Sequence, residues 1–286
     1  MAYPVPILMY HSVARRANPA YDRWCVSPQR FREQMSVLAA RGYRVMTTGD
    51  FVARRRSVAS LTGRSVVLTF DDGLRDFLTG AFPILGEFGF PATLYVVAGL
   101  VGETSRWLAP LGEGHRPMLD ADELRLLARS GIEIGGHTMS HPELDVLCPA
   151  AARAEIAESR RLLEGFLGAP VTSFAYPHGY SSRVTRRIVA EAGFRSAVRV
   201  RHAHSDLDES EFGLSRLIVT EDLDPERFIE LIEGPDRLVA PPQDRLVADL
   251  WRSWRRLRGY RIRCAAAVCP RQRIAGPGSG RLHVRE

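Results

Sequence analysis

Two short motifs in the chain carry residue types that could perform metal chemistry. Asp71 and Asp72 stand side by side in Thr-Phe-Asp-Asp-Gly, residues 69–73, and His137 and His141 are the ends of His-Thr-Met-Ser-His. With this histidine spacing, one helical turn would present both rings to the same point. One carboxylate and two imidazoles make a three-ligand site with a position left for water, which is typical of a catalytic metal. The second carboxylate is then free to act as a base, so the motifs predict metal-assisted hydrolysis.

Each motif alone also has a purely structural interpretation. Asp and Gly both favour turns, and two histidines at helical spacing can share a helix face by coincidence. However, each motif directly follows an apolar run typical of a buried strand, 66–68 before the carboxylates and 132–134 before the histidines. Their joint occurrence at strand ends favours the chemical interpretation.

Apolar runs alternate with amphipathic segments along the chain, which is typical of an α/β fold. The apolar runs predict strands at 6–10, 66–70, 92–97, 132–134, 173–175, 196–200 and 214–219. Capping residues and apolar periodicity predict intervening helices, including those that begin near Ser27, Asp120, Ala150 and Ser182. Six or seven strand–helix units favour a barrel of mainly parallel strands, in which chemistry takes place at the carboxyl ends of the strands.

The composition excludes several classes of chemistry. All 39 basic residues are arginine, which excludes Schiff-base enzymes, pyridoxal phosphate sites and lysine-containing phosphate loops. The net charge of +6 comes from the end of the chain, because residues 251–286 hold ten arginines and one acid, and the preceding part carries −3. We therefore expect no nucleic-acid partner.

The start of the chain lacks a basic, apolar leader, and no run of eighteen apolar residues follows it. We therefore expect a cytoplasmic protein without a signal peptide or a membrane-spanning helix. Prolines and a weaker pattern near residue 235 predict a boundary between a catalytic domain, 1–235, and a basic tail, 236–286.

The tail contains one amphipathic segment, residues 250–258. Its apolar positions 250, 251, 254 and 257 fall on one helical face, and arginines occupy the remainder. Such a helix could make a peripheral contact with an anionic membrane surface. It could equally pack its two tryptophans on the catalytic domain, and both interpretations stay open.

Three motifs together resemble those of a known family. Residues 69–73, 137–141 and 174–179, the last reading Phe-Ala-Tyr-Pro-His-Gly, are similar in order to the first three motifs of the polysaccharide deacetylase family. The likeness extends from about residue 6 to about residue 234. It implies a distorted (β/α)7-type barrel as a single catalytic domain, and an enzyme that removes acetyl groups from N-acetylated sugars or glycans.

The resemblance implies specific roles for the first two motifs. Asp71 would be the general base, while Asp72, His137 and His141 would bind one divalent metal. Zinc suits two imidazoles and one carboxylate, although other divalent ions can occupy such a site. The metal would lower the pKa of a bound water, and the neighbouring carboxylate would take its proton.

The third motif is expected to complete the site. By the same resemblance, the backbone N–H of His178 would stabilise the developing oxyanion, and Pro177 and Gly179 would shape its loop. Two aromatic residues, Trp107 and Tyr176, could stack on a sugar ring or could pack within the barrel.

The chain departs from the family pattern at three points. Many relatives have an arginine that orients the base at the position of Ala175, and an aromatic residue at the position of His178. A late Leu-x-His motif that supplies the general acid is also missing. Residues 8–13 resemble instead the opening of the branch that deacetylates poly-N-acetylglucosamine, which implies that His11 donates the proton to the leaving amine. His11 could also be a structural histidine.

Three functions therefore compete. The first is a metal-dependent deacetylase of an N-acetylated sugar or glycan. The second is a carbohydrate-binding relative with impaired catalysis, motivated by Ala175 and the missing late histidine. The third keeps the metal chemistry but hydrolyses a small non-sugar amide.

Overall fold

The computed structural model of the protein describes residues 5–15, 17–55, 63–205 and 208–234. The tail 236–286 lies outside these residues, so the predicted boundary, the membrane contact and the alternative packing of 250–258 stay predictions. Among the described residues, no helix is both long and apolar enough to span a bilayer.

The strands and helices alternate along most of the chain. The strands are β1 (Ile7–Tyr10), β2 (Ser12–Val13), β3 (Cys25–Val26), β4 (Arg44–Met46), β5 (Ser65–Phe70), β6 (Thr93–Val96), β7 (Glu133–Gly136), β8 (Ser173–Ala175), β9 (Ser196–Val200) and β10 (Leu214–Ile218). The α-helices are α1 (Pro28–Ala40), α2 (Thr48–Arg55), α3 (Phe82–Phe88), α4 (Ala121–Arg129), α5 (Pro149–Leu167), α6 (Arg183–Glu191) and α7 (Pro225–Glu233).

Seven parallel strands close into a barrel. The sheet runs from β1 through β10, β9, β8, β7 and β6 to β5, and β5 pairs back to β1. An eighth strand, β4, pairs with the first half of β5, where Arg44 lies opposite Ser65, while β6 pairs with the second half, where Thr69 lies opposite Thr93. The predicted (β/α)7-type barrel is confirmed, and its seven strands are the seven predicted from the apolar runs.

Three helices begin at the predicted capping residues. The Ser27 hydroxyl accepts a backbone hydrogen bond at the start of α1, and Ser182 does the same for α6. Asp120 and Glu123 form a reciprocal capping box at the start of α4. These caps satisfy donors that a helix cannot satisfy itself, and the helices they start cover the outside of the barrel.

The interior of the barrel is filled by side chains in layers. The Tyr95 ring fills the space across from Gly135, where an added Cβ would lie 2.4 Å from that ring. The Tyr95 hydroxyl donates to Thr48 Oγ1 at 2.9 Å. The guanidinium of Arg216 lies 5.7 Å from the centroid of the same ring. The barrel is therefore a packed core rather than a pore, and polar groups collect at the carboxyl ends of its strands.

Candidate metal centre

Asp72, His137 and His141 converge at the carboxyl ends of β5 and β7. Asp72 Oδ1 lies 3.5 Å from His141 Nε2 and 3.7 Å from His137 Nε2. Zinc ligands about 2.0–2.1 Å from a tetrahedral ion lie roughly 3.3 Å from one another, so the three atoms need to move little to share a metal. Asp72 Oδ1 is buried and has no hydrogen-bond partner in the described structure. The residues therefore fit a divalent metal.

His137 is held in the tautomer that a metal ligand needs. Its Nδ1 lies 2.8 Å from the carbonyl oxygen of Ala175, and because a carbonyl can only accept, Nδ1 carries the proton and donates. The lone pair of Nε2 then faces Asp72. A second group that fixes the ring in this way is characteristic of metal-binding histidines.

The electrostatics of the cluster also favour a cation. Burial lowers the pKa of His137 to about 4 and holds the pKa of His141 well below its usual value, so both rings are neutral near pH 7. Burial, with the nearby Asp71 and Asp76 carboxylates, raises the pKa of Asp72 to about 8. Arg116 and Arg216 offset this effect only in part, and a bound metal would provide the missing positive charge as the proton leaves.

The two histidines are not presented by a helix. The expectation that one helical turn carries them is wrong, because residues 137–141 form an irregular loop after β7. Thr138 and His141 have left-handed backbones, with φ of 69° and 61°. The loop closes on itself, since the His141 N–H donates to Thr138 Oγ1 at 3.0 Å. It is also bonded to the segment that follows β6, where the Ala98 N–H donates to the Thr138 carbonyl at 2.9 Å.

Asp71 is held by an arginine from the last barrel strand. Arg216 Nη1 and Nη2 donate to the two Asp71 carboxylate oxygens, each at 2.6 Å, and Nη1 also lies 3.2 Å from Thr69 Oγ1. Arg216 is fully buried and Asp71 is 3% exposed. Burial alone would raise the pKa of Asp71, but the Arg216 guanidinium, together with the nearby His137 and His11, outweighs burial and lowers it. Asp71 is therefore a fixed carboxylate that stays ionised beside the candidate metal ligands.

Arg216 was missed in the sequence. Its signal there is a charged residue within the apolar strand Leu-Ser-Arg-Leu-Ile, and buried arginines need a partner. The family resemblance leads to the expectation of an arginine at the position of Ala175. Asp71 nevertheless has a guanidinium partner, because Arg216 reaches it from β10.

His11 lies at the same mouth of the barrel. It directly follows β1, and its ring packs against Trp24 with a centroid distance of 4.7 Å. Burial lowers the pKa of His11 to about 4, while the Asp71 carboxylate acts in the opposite direction and Arg216 in the same one. The structure thus brings His11 into the electrostatic environment of Asp71, as the motif at residues 8–13 predicts.

The third motif forms a tight turn at the end of β8. Pro177 and Gly179 are buried, and His178 between them is exposed with a left-handed φ of 57°. An added Cβ at Gly179 would lie 2.5 Å from the Val200 side chain, so only glycine fits this close approach to β9. The His178 ring lies 4.7 Å from the His141 ring, which places the turn next to the candidate metal ligands.

The two predicted stacking aromatics have different environments. Trp107 is half-buried and stacks on the His141 ring at 5.3 Å with an interplanar angle of 27°, so it borders the site. Tyr176 is fully buried, packs edge-on against Phe174 and donates its hydroxyl to the Phe212 carbonyl at 3.0 Å. The packing interpretation therefore describes Tyr176, and its ring is not available to stack on a sugar.

Fold and site together define a (β/α)7-type barrel with a candidate metal centre at the carboxyl ends of its strands. A family model for polysaccharide deacetylase matches residues 59–197, which include both carboxylates, both histidines of the candidate metal centre and the third motif. The chain is similar to this family over these residues, which make up slightly less than half of its length.

Individual known proteins are also similar to the chain. The chain is 26% identical over 230 residues to YxkH of Bacillus subtilis, named as a polysaccharide deacetylase, covering 80% of this chain and 76% of the relative. It is 26% identical over 183 residues to a chitooligosaccharide deacetylase of Rhizobium leguminosarum, covering 62% and 72%. The solved structure of the Streptococcus pyogenes deacetylase PplD superposes with a TM-score of 0.71 at 24% identity, covering 82% of this chain and 100% of that one. The last similarity concerns the fold alone.

Proposed function

We propose that the protein is a metal-dependent hydrolase that removes N-acetyl groups from an N-acetylated sugar or glycan. The observation that carries the proposal is the juxtaposition of two groups of residues at one barrel mouth. Asp72, His137 and His141 form a cluster suited to a cation, and Asp71 is fixed beside it as an ionised carboxylate by Arg216. Metal ligands with an adjacent base are the groups that metal-assisted hydrolysis of an amide uses.

Asp72, His137 and His141 would hold the metal, with zinc as the expected ion and other divalent ions able to replace it. When bound, the metal would lower the pKa of a coordinated water and polarise the acetyl carbonyl. Asp71 would accept the proton of the attacking water. Arg216 keeps this carboxylate ionised and fixes the direction of both its oxygens.

His11 would act on the leaving nitrogen of the scissile amide, and the third motif would act on its carbonyl oxygen. Burial leaves His11 neutral near pH 7, and the Asp71 carboxylate acts against burial in favour of the protonated form. In the proposed role, Asp71 would take a proton from the water, and His11 would take up a proton during the reaction and deliver it to the leaving amine. The backbone N–H of His178, in the turn shaped by Pro177 and Gly179, would donate to the developing oxyanion. The sugar would then lie on the His11 side of the site.

The alternative of a relative with impaired catalysis loses part of its motivation. It rested on Ala175 and on the missing late histidine. Arg216 makes the guanidinium contact to Asp71 that alanine at position 175 cannot make. His11 lies near Asp71 as a candidate acid. Both observations support turnover rather than binding alone.

The deciding experiment is an acetate-release assay. Chitooligosaccharides and small acetylated amides are each incubated with the zinc-loaded protein, with and without a chelator. We expect acetate from the sugars, loss of release with chelator and recovery on addition of zinc. Release from the small amides only would favour the non-sugar function, and sugar binding without any acetate would favour the impaired relative.

His11→Ala should slow substrates with poor leaving groups more than activated ones. The sugar amine is a poor leaving group and needs a proton to leave, whereas an activated phenol leaves without one. The loss of an acid should therefore slow mainly the N-acetylated sugar. The comparison is kcat/KM on an N-acetylated sugar and on an activated acetate ester, with metal content checked in parallel. Equal slowing of both substrates would show that His11 is not the acid.

Arg216→Ala should move the acidic limb of the pH–rate profile. Arg216 lowers the pKa of Asp71, so without it Asp71 takes up a proton at higher pH and the base is lost earlier as the pH falls. The acidic limb of kcat/KM should therefore shift to higher pH, and kcat should fall on the order of tenfold or more.

Two further variants make this result specific to Arg216. Arg216→Lys keeps the positive charge but lacks the two parallel hydrogen bonds of arginine. The acidic limb of its pH–rate profile should therefore lie near that of the wild type, while its kcat stays reduced. Arg199→Ala removes another buried arginine, from β9, which bonds Glu209 at 3.2 Å and the Gly213 carbonyl at 2.7 Å. It should lower stability without moving the limb. An unshifted profile in Arg216→Ala would contradict the assignment.

A further inference from the structure

The loop that carries both metal-ligand histidines needs support from outside itself. Thr138 and His141 occupy the left-handed region without being glycine, and such residues persist only when their surroundings fix them. One side of the loop is fixed by β6 and the residues after it, because the Ala98 and Gly99 N–H groups donate to the carbonyls of Thr138 and Met139 at 2.9 and 3.1 Å. These bonds engage the carbonyl groups of the loop.

The amide groups of the loop are engaged by Glu155 of α5. Its Oε2 accepts the N–H of Met139 at 2.9 Å and the N–H of Ser140 at 3.0 Å, and its Oε1 accepts the Ser140 hydroxyl at 2.7 Å. Ser140 is the residue directly before His141. One carboxylate thus fixes the backbone on the approach to the second histidine.

We infer that Glu155 is a positioning residue for the metal centre, which holds residues 139–140 so that His137 and His141 converge on Asp72 before a metal binds. The inference rests on the metal role proposed for these three residues. Without Glu155, two backbone donors lose their acceptor and the left-handed residues can relax, which would separate the two imidazoles. Residues that orient metal ligands commonly set the affinity of the site.

Two substitutions of Glu155 can separate the effect of its hydrogen-bond geometry on the loop from the effect of its charge. A single oxygen, Oε2, accepts both backbone donors, and the carbonyl oxygen of a glutamine could do the same. The amide nitrogen would then face the Ser140 hydroxyl, which can accept as well as donate. Aspartate keeps the charge, but it is one methylene too short to reach the loop.

The measurement is zinc affinity, obtained by competition between the metal-free protein and a chromogenic chelator of known affinity. We expect Glu155→Ala and Glu155→Asp to weaken zinc binding by roughly 10–100-fold, as loss of an orienting group usually does. Glu155→Gln should stay within about threefold of the wild type, because it preserves the backbone hydrogen bonds. The matched control is Glu158→Ala on the same helix, where Glu158 is exposed and bonds only Arg161 in the described contacts; it should bind zinc like the wild type.

Two results would overturn the inference. One is wild-type affinity in both Glu155→Ala and Glu155→Asp. The other is equal weakening in Glu155→Gln and Glu155→Asp, which would point to charge or general packing. If Glu155→Ala does not fold, as judged by circular dichroism of the metal-free form, the Gln and Asp variants still decide. Because no substrate is used, a wild type that binds zinc but releases no acetate would refute the proposed function and leave this inference intact.

Discussion

Replacing His137 with alanine is expected to abolish both metal binding and hydrolysis. His137 is one of three candidate ligands, it is buried, and its Nδ1 bond to the Ala175 carbonyl directs Nε2 toward Asp72. With only Asp72 and His141 left, the site falls below the three protein ligands typical of catalytic zinc. Elemental analysis of the purified variant, together with acetate release, measures both effects.

His115→Ala is the matched control for this experiment. His115 is an exposed histidine in the segment between β6 and α4, and no role is assigned to it. The control should keep wild-type metal content and activity. Full metal occupancy in His137→Ala would refute the ligand assignment. If the control also lost its metal, the loss would be due to purification and not to the removed ligand.

The barrel was predictable because its strands are short, apolar and buried on both faces. All six residues of β5 are buried, for example, so the strand reads as a continuous apolar run. The strand β4 was missed for the opposite reason. It has three residues, of which Arg44 is exposed and Val45 is partly exposed, and it pairs with only half of β5. A pattern of hydrophobicity cannot detect so short an edge segment.

The residues of the candidate metal centre could be predicted from the sequence, but the shape of the loop that carries the two histidines could not. Residue type and spacing indicated Asp72, His137 and His141, since metal ligands are a small chemical class. The shape of the histidine loop depends instead on Ala98 and Glu155, whose bonds to it are tertiary contacts. Local sequence favours a helical turn for that spacing, and the tertiary hydrogen bonds override it.

Arg216 shows the same limit more clearly. It stands 145 residues from Asp71 along the chain, and only barrel closure between β1, β5 and β10 brings the two together. Motif comparison found the usual position, Ala175, without its arginine and indicated a defect. The position of a guanidinium can change while its contact with the base is kept, and such a change is visible only in three dimensions.

Asp71→Asn is expected to keep the metal and to lose on the order of a hundredfold or more in rate, the usual scale for a positioned base. The amide has nearly the same shape but cannot accept a proton from water at neutral pH. It also places an N–H group against Arg216, which can donate but not accept, so one of the two 2.6 Å bonds is lost. Because Asp72, His137 and His141 remain, elemental analysis should show normal metal content while kcat on an N-acetylated sugar falls.

The control for this variant is Asp76→Asn. Asp76 is another aspartate at this end of the barrel that pairs with an arginine, Arg116, and it also accepts from the Ser12 hydroxyl at 2.9 Å. It stands four residues after Asp72 and has no proposed catalytic role, but it helps to raise the pKa of Asp72, so the metal content of this variant is measured as well. Loss of its charge should therefore lower stability more than the catalytic rate. Normal turnover in Asp71→Asn would make Asp71 a structural partner of Arg216, and the base would then have to be sought among the other groups at the barrel mouth, beginning with His11.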